Sequence, residues 1–200
     1  MRAVLHGEQI ADVPCDGCVG CCVSSYAIPL RPTDKTALAA VPDRYLHLPV
    51  DGGFALMRHR DDGTCPMLEA RRCTIYADRP QTCRDYDCRI YAATGLLPDG
   101  ERPVIRDRVL EWRFAFTTSQ DLAQREALSR AVHFIQQHAA LFPSNVRAGS
   151  AAAAAVLAVK VWPLFADKTA TNEKGDEPGS PSPLEQVQRV LEAARAFDTP

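Results

Sequence analysis

Cys15-Asp16-Gly17-Cys18-Val19-Gly20-Cys21-Cys22 is the stretch that decides how this chain folds. Its two-residue gaps let successive thiols in a loop reach one point, as in zinc ribbons and ferredoxins. Four more cysteines follow at Cys65, Cys73, Cys83 and Cys88, which completes the eight in the chain. A chain using cysteine as a generic small hydrophobe would scatter it over all 200 residues, and none lies beyond residue 88. Clustered sulfur of this kind points to a metal ion or cluster.

Clustered cysteine has two other common uses. An even number of cysteines is compatible with a disulfide framework, with on the order of a hundred possible pairings. That framework needs an oxidising compartment. The N-terminus, Met1-Arg2-Ala3-Val4-Leu5-His6-Gly7-Glu8, has no apolar signal region and no small-residue cleavage site. A lone nucleophilic cysteine would need a partner histidine or asparagine, and no pairing singles one out.

The composition fits a globular chain with a tail. Apolar residues make up 46 % and the formal net charge is −2, with a pI near 6.2. No basic excess suggests a nucleic-acid partner. The longest apolar run, Ala151 to Phe165, contains Lys160 and Pro163 and is too short for a bilayer. The expectation is therefore a cytoplasmic protein with reduced thiols, no membrane span and no nucleic-acid partner.

The expected fold class is α+β: a small cysteine-rich metal-binding β core with surrounding helices and a helical C-terminal extension. Residues 1–118 read as the cysteine-cluster domain, 119–166 as a helical extension, 167–183 as a disordered linker and 184–200 as an amphipathic helix. Tyr45–Val50 and Phe54–Arg58 flank the turn signal Asp51-Gly52-Gly53 and predict a hairpin. Cys73–Tyr76 and Val104–Trp112 read as further strands. Thr33 is a candidate cap for a short helix stopped by Pro42. Asp78, with Gln81 three residues on and Pro80 in the first turn, predicts a helix that carries Cys83 through Cys88. Thr118-x2-Asp121 is a capping box ahead of the stripe Leu128, Val132, Ile135, Ala139 and Phe142. Ala151–Val161 predicts a second helix whose alanines pack closely. After the Asp-, Glu-, Gly- and Ser-rich segment, Ser182-Pro183-Leu184-Glu185 opens a last helix with Leu184, Val187, Leu191, Ala194 and Phe197 on one side.

Cys15, Cys18 and Cys21 have the spacing of the first three ligands of a ferredoxin run, and Cys65-Pro66 supplies a remote fourth. Cys15 and Cys18 equally fit half of a zinc ribbon, completed by Cys65 and Cys73 or by Cys83 and Cys88. All eight cysteines are candidate metal ligands: Cys15, Cys18, Cys21, Cys22, Cys65, Cys73, Cys83 and Cys88. Cys22 is the least demanding member, because neighbouring side chains in an extended loop diverge. Residues five apart on a helix are turned by about 140°, so Cys83 and Cys88 share an ion only if the helix ends between them. Cys83, near a helix start, is expected to have a lowered thiol pKa. Arg71, Arg72, Arg79, Arg84 and Arg89 can offset thiolate charge or stand as solvated surface charges. His59 is a weaker ligand candidate. His133 and His138 are five apart on a helix and read as structural, and Asp85 and Asp87 as helix-surface charges. Phosphate-binding, esterase and zinc-protease motifs are absent.

The run Cys15-x2-Cys18-x2-Cys21-Cys22, then Cys65-Pro66-Met67-Leu68, then Cys73-Thr74-Ile75-Tyr76-x2-Arg79-Pro80-x2-Cys83-Arg84-x3-Cys88, resembles the bacterial YkgJ family of cysteine cluster proteins, whose CxxCxxCC domain is described as zinc- or iron-chelating. The likeness covers roughly residues 12–92. It implies chelation of zinc or iron, or of an iron–sulfur cluster, and it implies no reaction. A related cysteine domain occurs in flagellin lysine methylases, whose activity nothing else in this chain supports.

Three functions follow as expectations: a metal-binding module, an iron–sulfur redox protein or enzyme component, and an adaptor acting on a protein partner through the C-terminal helix. For the second, a titratable group beside the site would discriminate, with Tyr76, Tyr86 and Asp85 the nearest. For the third, the test is whether Leu184–Phe197 is free or docked.

Overall fold

The structure is a computed structural model that describes residues 17–26, 28–48, 54–100, 102–166 and 181–198. Cys15, the Asp51-Gly52-Gly53 turn and residues 167–180 lie outside the described residues. The helices are α1 (Lys35–Ala40), α2 (Gln81–Asp85), α3 (Arg89–Thr94), α4 (Pro103–Glu111), α5 (Ser119–Gln137), α6 (Ala151–Val161) and α7 (Pro183–Asp198). The strands are β1 (Ile28–Leu30), β2 (Leu46–His47), β3 (Ala55–Met57), β4 (Leu68–Glu69) and β5 (Arg72–Cys73). The fold is α+β and cysteine-rich, and among the described residues no helix is long and apolar enough to cross a membrane. The described chain divides into two compact units.

The cysteine unit holds residues 17–87 and 102–108. Its three-stranded antiparallel sheet has the order β1-β3-β2. Ile28 pairs with Met57, Leu30 with Ala55, and Leu46 with Met57. Alternation along β1 and β3 puts Ile28, Leu30, Ala55 and Met57 inside and leaves Leu56 exposed. These side chains pack with Ala37, Val41, Cys65 and Met67 into one core. β2 and β3 pair antiparallel within the two segments expected to form a hairpin, but Tyr45 ends a 3-10 helix, Asp43–Tyr45, instead of starting the strand, and the turn lies outside the described residues.

Three local expectations in this unit are corrected. Cys73–Tyr76 is strand only over its first residue, because the chain turns at Ile75 into a 3-10 helix, Tyr76–Asp78. The cap of α1 is Asp34 rather than Thr33, and its carboxylate does not cap. It accepts instead from the N–H of Arg31 (2.8 Å) and of Gln81 (3.0 Å), which fastens the first residue of α2. Val104–Trp112 is helical, not extended. Pro103 opens α4, where proline suits the first turn, and Ile105 and Val109, one helical turn apart, are both buried while Asp107 between them is exposed, which a strand face would not give.

The helical unit holds residues 88–100 and 109–198 among those described. Thr118 and Asp121 form the expected capping box, with Asp121 N–H donating to Thr118 Oγ1 at 3.1 Å. Ser150 caps α6 by accepting from Ala153 N–H at 3.2 Å. Ala154, Ala155 and Ala158 are buried, so the alanine run is a close-packing face. Arg130 donates to the carbonyl of Phe165 at 2.7 and 2.9 Å and satisfies the end of the 3-10 helix Trp162–Phe165 that follows α6. α7 starts at its own capping box, Ser182 N–H to Glu185 Oε2 at 2.7 Å and Glu185 N–H to Ser182 Oγ at 3.3 Å. It is docked: Val187 and Val190, 2 % and 0 % exposed, lie in the same core as Ile135, Leu157 and Phe165. Lys160 pairs with Asp198 at 2.6 Å. The helix spends its apolar side on its own chain, so it is not the free tail that an adaptor requires; of its large apolar residues Leu184 remains exposed.

Candidate metal centre

Six sulfurs reach one cavity from separate segments of the cysteine unit. Gly17, at φ +74°, turns the chain into Cys18 in a left-handed conformation that favours glycine. Cys21 and Cys22 open a 3-10 turn, Cys21–Val23, tied back by Cys22 N–H to Val19 O at 2.9 Å. Cys65 follows the loop after β3, Cys73 ends β5 opposite Leu68, and Cys83 sits in α2. Thr82 donates its hydroxyl to Pro29 O at 2.7 Å, which fixes α2 against β1. Cys18, Cys21, Cys22, Cys65, Cys73 and Cys83 all line a cavity of about 580 Å³.

Cys22 and Cys65 are locked together at the backbone, with Cys65 N–H donating to Cys22 O at 2.7 Å. The Cys65 thiol itself donates to Met57 Sδ at 3.8 Å. Cys22 keeps its proton far above the ordinary thiol range because its S–H is shared with the sulfurs of Cys21 and then Cys65. The same contact lowers the thiols of Cys21 and Cys65. Burial raises Cys73. Cys83 is pushed up to about 12, first by burial and then by the charges of Cys21, Cys65 and Cys73. This corrects the expectation that a helix start lowers it: α2 has five residues, and loss of water outweighs its small dipole.

Arg60 is a residue the cysteine spacing did not reveal. It donates to Pro66 O at 2.7 Å and Leu68 O at 2.8 Å, clamping the loop that carries Cys65, and its charge favours the Cys65 thiolate. Arg79 does the same electrostatically for Cys83 and Cys73. Of the five arginines singled out in the sequence, Arg71, Arg72, Arg79 and Arg84 line the cavity. Arg89 lies in the helical unit, over Trp112 at 5.9 Å.

The helix expected to join Cys83 and Cys88 ends between them, at Tyr86. Cys88 caps α3 in the helical unit, and its sulfur accepts from Trp112 Nε1 at 3.4 Å. His59 does not line the cavity; burial lowers its pKa, and its Nε2 is buried without a hydrogen-bond partner. Asp85 pairs with Arg31 at 3.0 Å and accepts from Gln81 Nε2 at 2.6 Å. Tyr76 and Tyr86 do line the cavity, and Tyr26 joins them. His133 stands on α5 and His138 at its C-terminal cap, both in the helical unit.

The donor chemistry suits zinc or iron, since every candidate at the cavity wall is a sulfur and none a carboxylate. The shell is not preassembled: among the described residues no three Cys, His, Asp or Glu side chains stand in a group that holds an ion. The backbone brings the sulfurs to one wall, and side-chain rotation would have to close them on an ion.

No curated protein and no solved structure matches the chain. One family model does, that of the CxxCxxCC family, described as a "putative zinc- or iron-chelating domain", over residues 14–101. The matched stretch spans the cysteine segments that build the cavity.

Proposed function

We propose that this protein chelates zinc or iron through its clustered thiolates. Cys18, Cys21, Cys22, Cys65, Cys73 and Cys83 are the core donor set, with Cys15 a further sulfur donor by its spacing; Cys88 belongs to the helical unit and stands outside this set. The observation that supports this is the single cavity into which six thiols from distant segments converge. Four thiolates complete one zinc ion, so six leave donors for a second ion or for bridging. A bound zinc would cross-link the segments of the cysteine unit, while an iron–sulfur cluster would add one-electron chemistry.

The cluster is the second reading, favoured by the Cys18-x2-Cys21 spacing and by Cys65-Pro66. Anaerobic purification followed by metal and acid-labile sulfide analysis separates the two. Zinc without sulfide supports the ion, and iron with equimolar sulfide supports the cluster. Protein that takes up neither metal after reconstitution overturns chelation altogether.

A further inference from the structure

The cavity is far larger than a metal ion requires. Its volume of about 580 Å³ falls in the range of small-molecule sites, roughly 300–1,000 Å³. Apolar side chains among its lining are Ile28, Met57, Met67 and Ile75. Four guanidiniums also line it, those of Arg71, Arg72, Arg79 and Arg84. Four thiolates on one divalent ion, or six on two, carry a net charge of about −2, so these cations outnumber the charge they would offset.

The four arginines are not equivalent. Arg79 donates to Tyr76 O at 2.8 Å and lies over the Tyr76 ring at 4.1 Å, while Arg84 Nε donates to Arg79 O at 3.1 Å. Arg71 and Arg72 make no such contact with the described residues and are exposed at the tip of the β4–β5 hairpin. The two-residue turn there is Ala70-Arg71, at φ +45° and +61°. Such turns favour glycine or asparagine at both positions, yet an arginine occupies the second. Tyr26, also at the cavity wall, has its hydroxyl buried without a hydrogen-bond partner.

We propose that the cavity binds a small organic anion, its carboxylate or phosphate on Arg71 and Arg72 and its apolar body against Ile28, Met57 and Met67, beside the metal. The "beside the metal" part rests on the chelating role proposed above; the anion site itself rests on the cavity walls.

The test is an NMR titration of the full chain, metal-free and zinc-incubated, with three probes of one shape: benzoate, phenyl phosphate and neutral benzamide. At least one anion should bind about tenfold or more tighter than benzamide, and which one does so names the head group. Arg71→Gly should weaken that anion about tenfold while leaving the thermal midpoint equal or higher, since glycine accepts φ +61° without strain. Arg72→Gln should weaken it similarly. Equal binding of all three probes, no binding of either anion, or anion affinity unchanged in both variants overturns the proposal. Metal content measured on the same samples keeps the two ideas apart: absent zinc sinks chelation, while the metal-free titration still decides the anion.

Discussion

Cys65 donates its backbone N–H to the carbonyl of Cys22 at 2.7 Å. The last cysteine of the N-terminal run and the cysteine of the Cys-Pro pair are therefore held side by side by the fold itself. Sequence spacing made Cys22 the least demanding of its group, and this contact makes it one of the central ones.

Cys22→Ser should accordingly lower bound metal as deeply as Cys21→Ser or Cys65→Ser. Metal content of the three variants, purified in parallel, checks it. Wild-type content in Cys22→Ser would return Cys22 to the margin of the site.

Arg60→Ala should release the loop that carries Cys65. Hydrogen bonds from a charged donor contribute on the order of 1.5–3 kcal/mol each, less where partly exposed, so a loss of about 2 kcal/mol is expected from the two carbonyl contacts. Chemical denaturation gives the stability, and zinc retention against a competing chelator should fall with it. An unchanged unfolding midpoint would show that the loop holds without the clamp.

The metal-free protein should lose stability in alkali through Cys83. Its folded pKa, about 12, lies above the ordinary 9.0. The folded state thus favours the protonated thiol. The contribution is full below about pH 9 and is lost as pH rises toward 12. Cys21 and Cys65 are shifted downward and act in the opposite sense, losing stability as pH falls. The Cys83 effect is therefore read as a difference. Denaturant unfolding between pH 8 and 10.5 should show a steeper alkaline loss in the parent than in Cys83→Ala, and parallel curves would refute it.

Removing α7 should unfold or severely weaken the helical unit. Val187, Val190 and Phe197 are buried, and burial of each large apolar side chain contributes about 1.5–3 kcal/mol. The total, on the order of 5 kcal/mol, is comparable with the net stability of a domain. Truncation after Ala166 should lower the thermal midpoint or give a chain that aggregates. A truncated protein with the parent's unfolding curve would restore the free-tail expectation.

What the sequence determined on its own was local. The capping box at Thr118, the apolar stripe through Val132 and Ile135, and the alanine face of α6 were legible because caps and periodicity act within a few residues. The antiparallel β2–β3 pairing was legible for the same reason, and the CxxCxxCC spacing marked a sulfur site. Tertiary structure decided the rest. Val104–Leu110 is rich in β-branched residues, yet it is helical because Pro103 starts a helix and Ile105 and Val109 are buried one helical turn apart while Asp107 between them is exposed. The carboxylate of Asp34 leaves its own helix end for the N–H of Gln81, and Arg60 clamps carbonyls beyond Cys65. The apolar side of α7 looks the same in sequence whether free or docked, and the waiting surface of α6 settles it. The partnership of Cys22 and Cys65 belongs to this second group, because a hydrogen bond between remote backbones leaves no periodic trace in the chain.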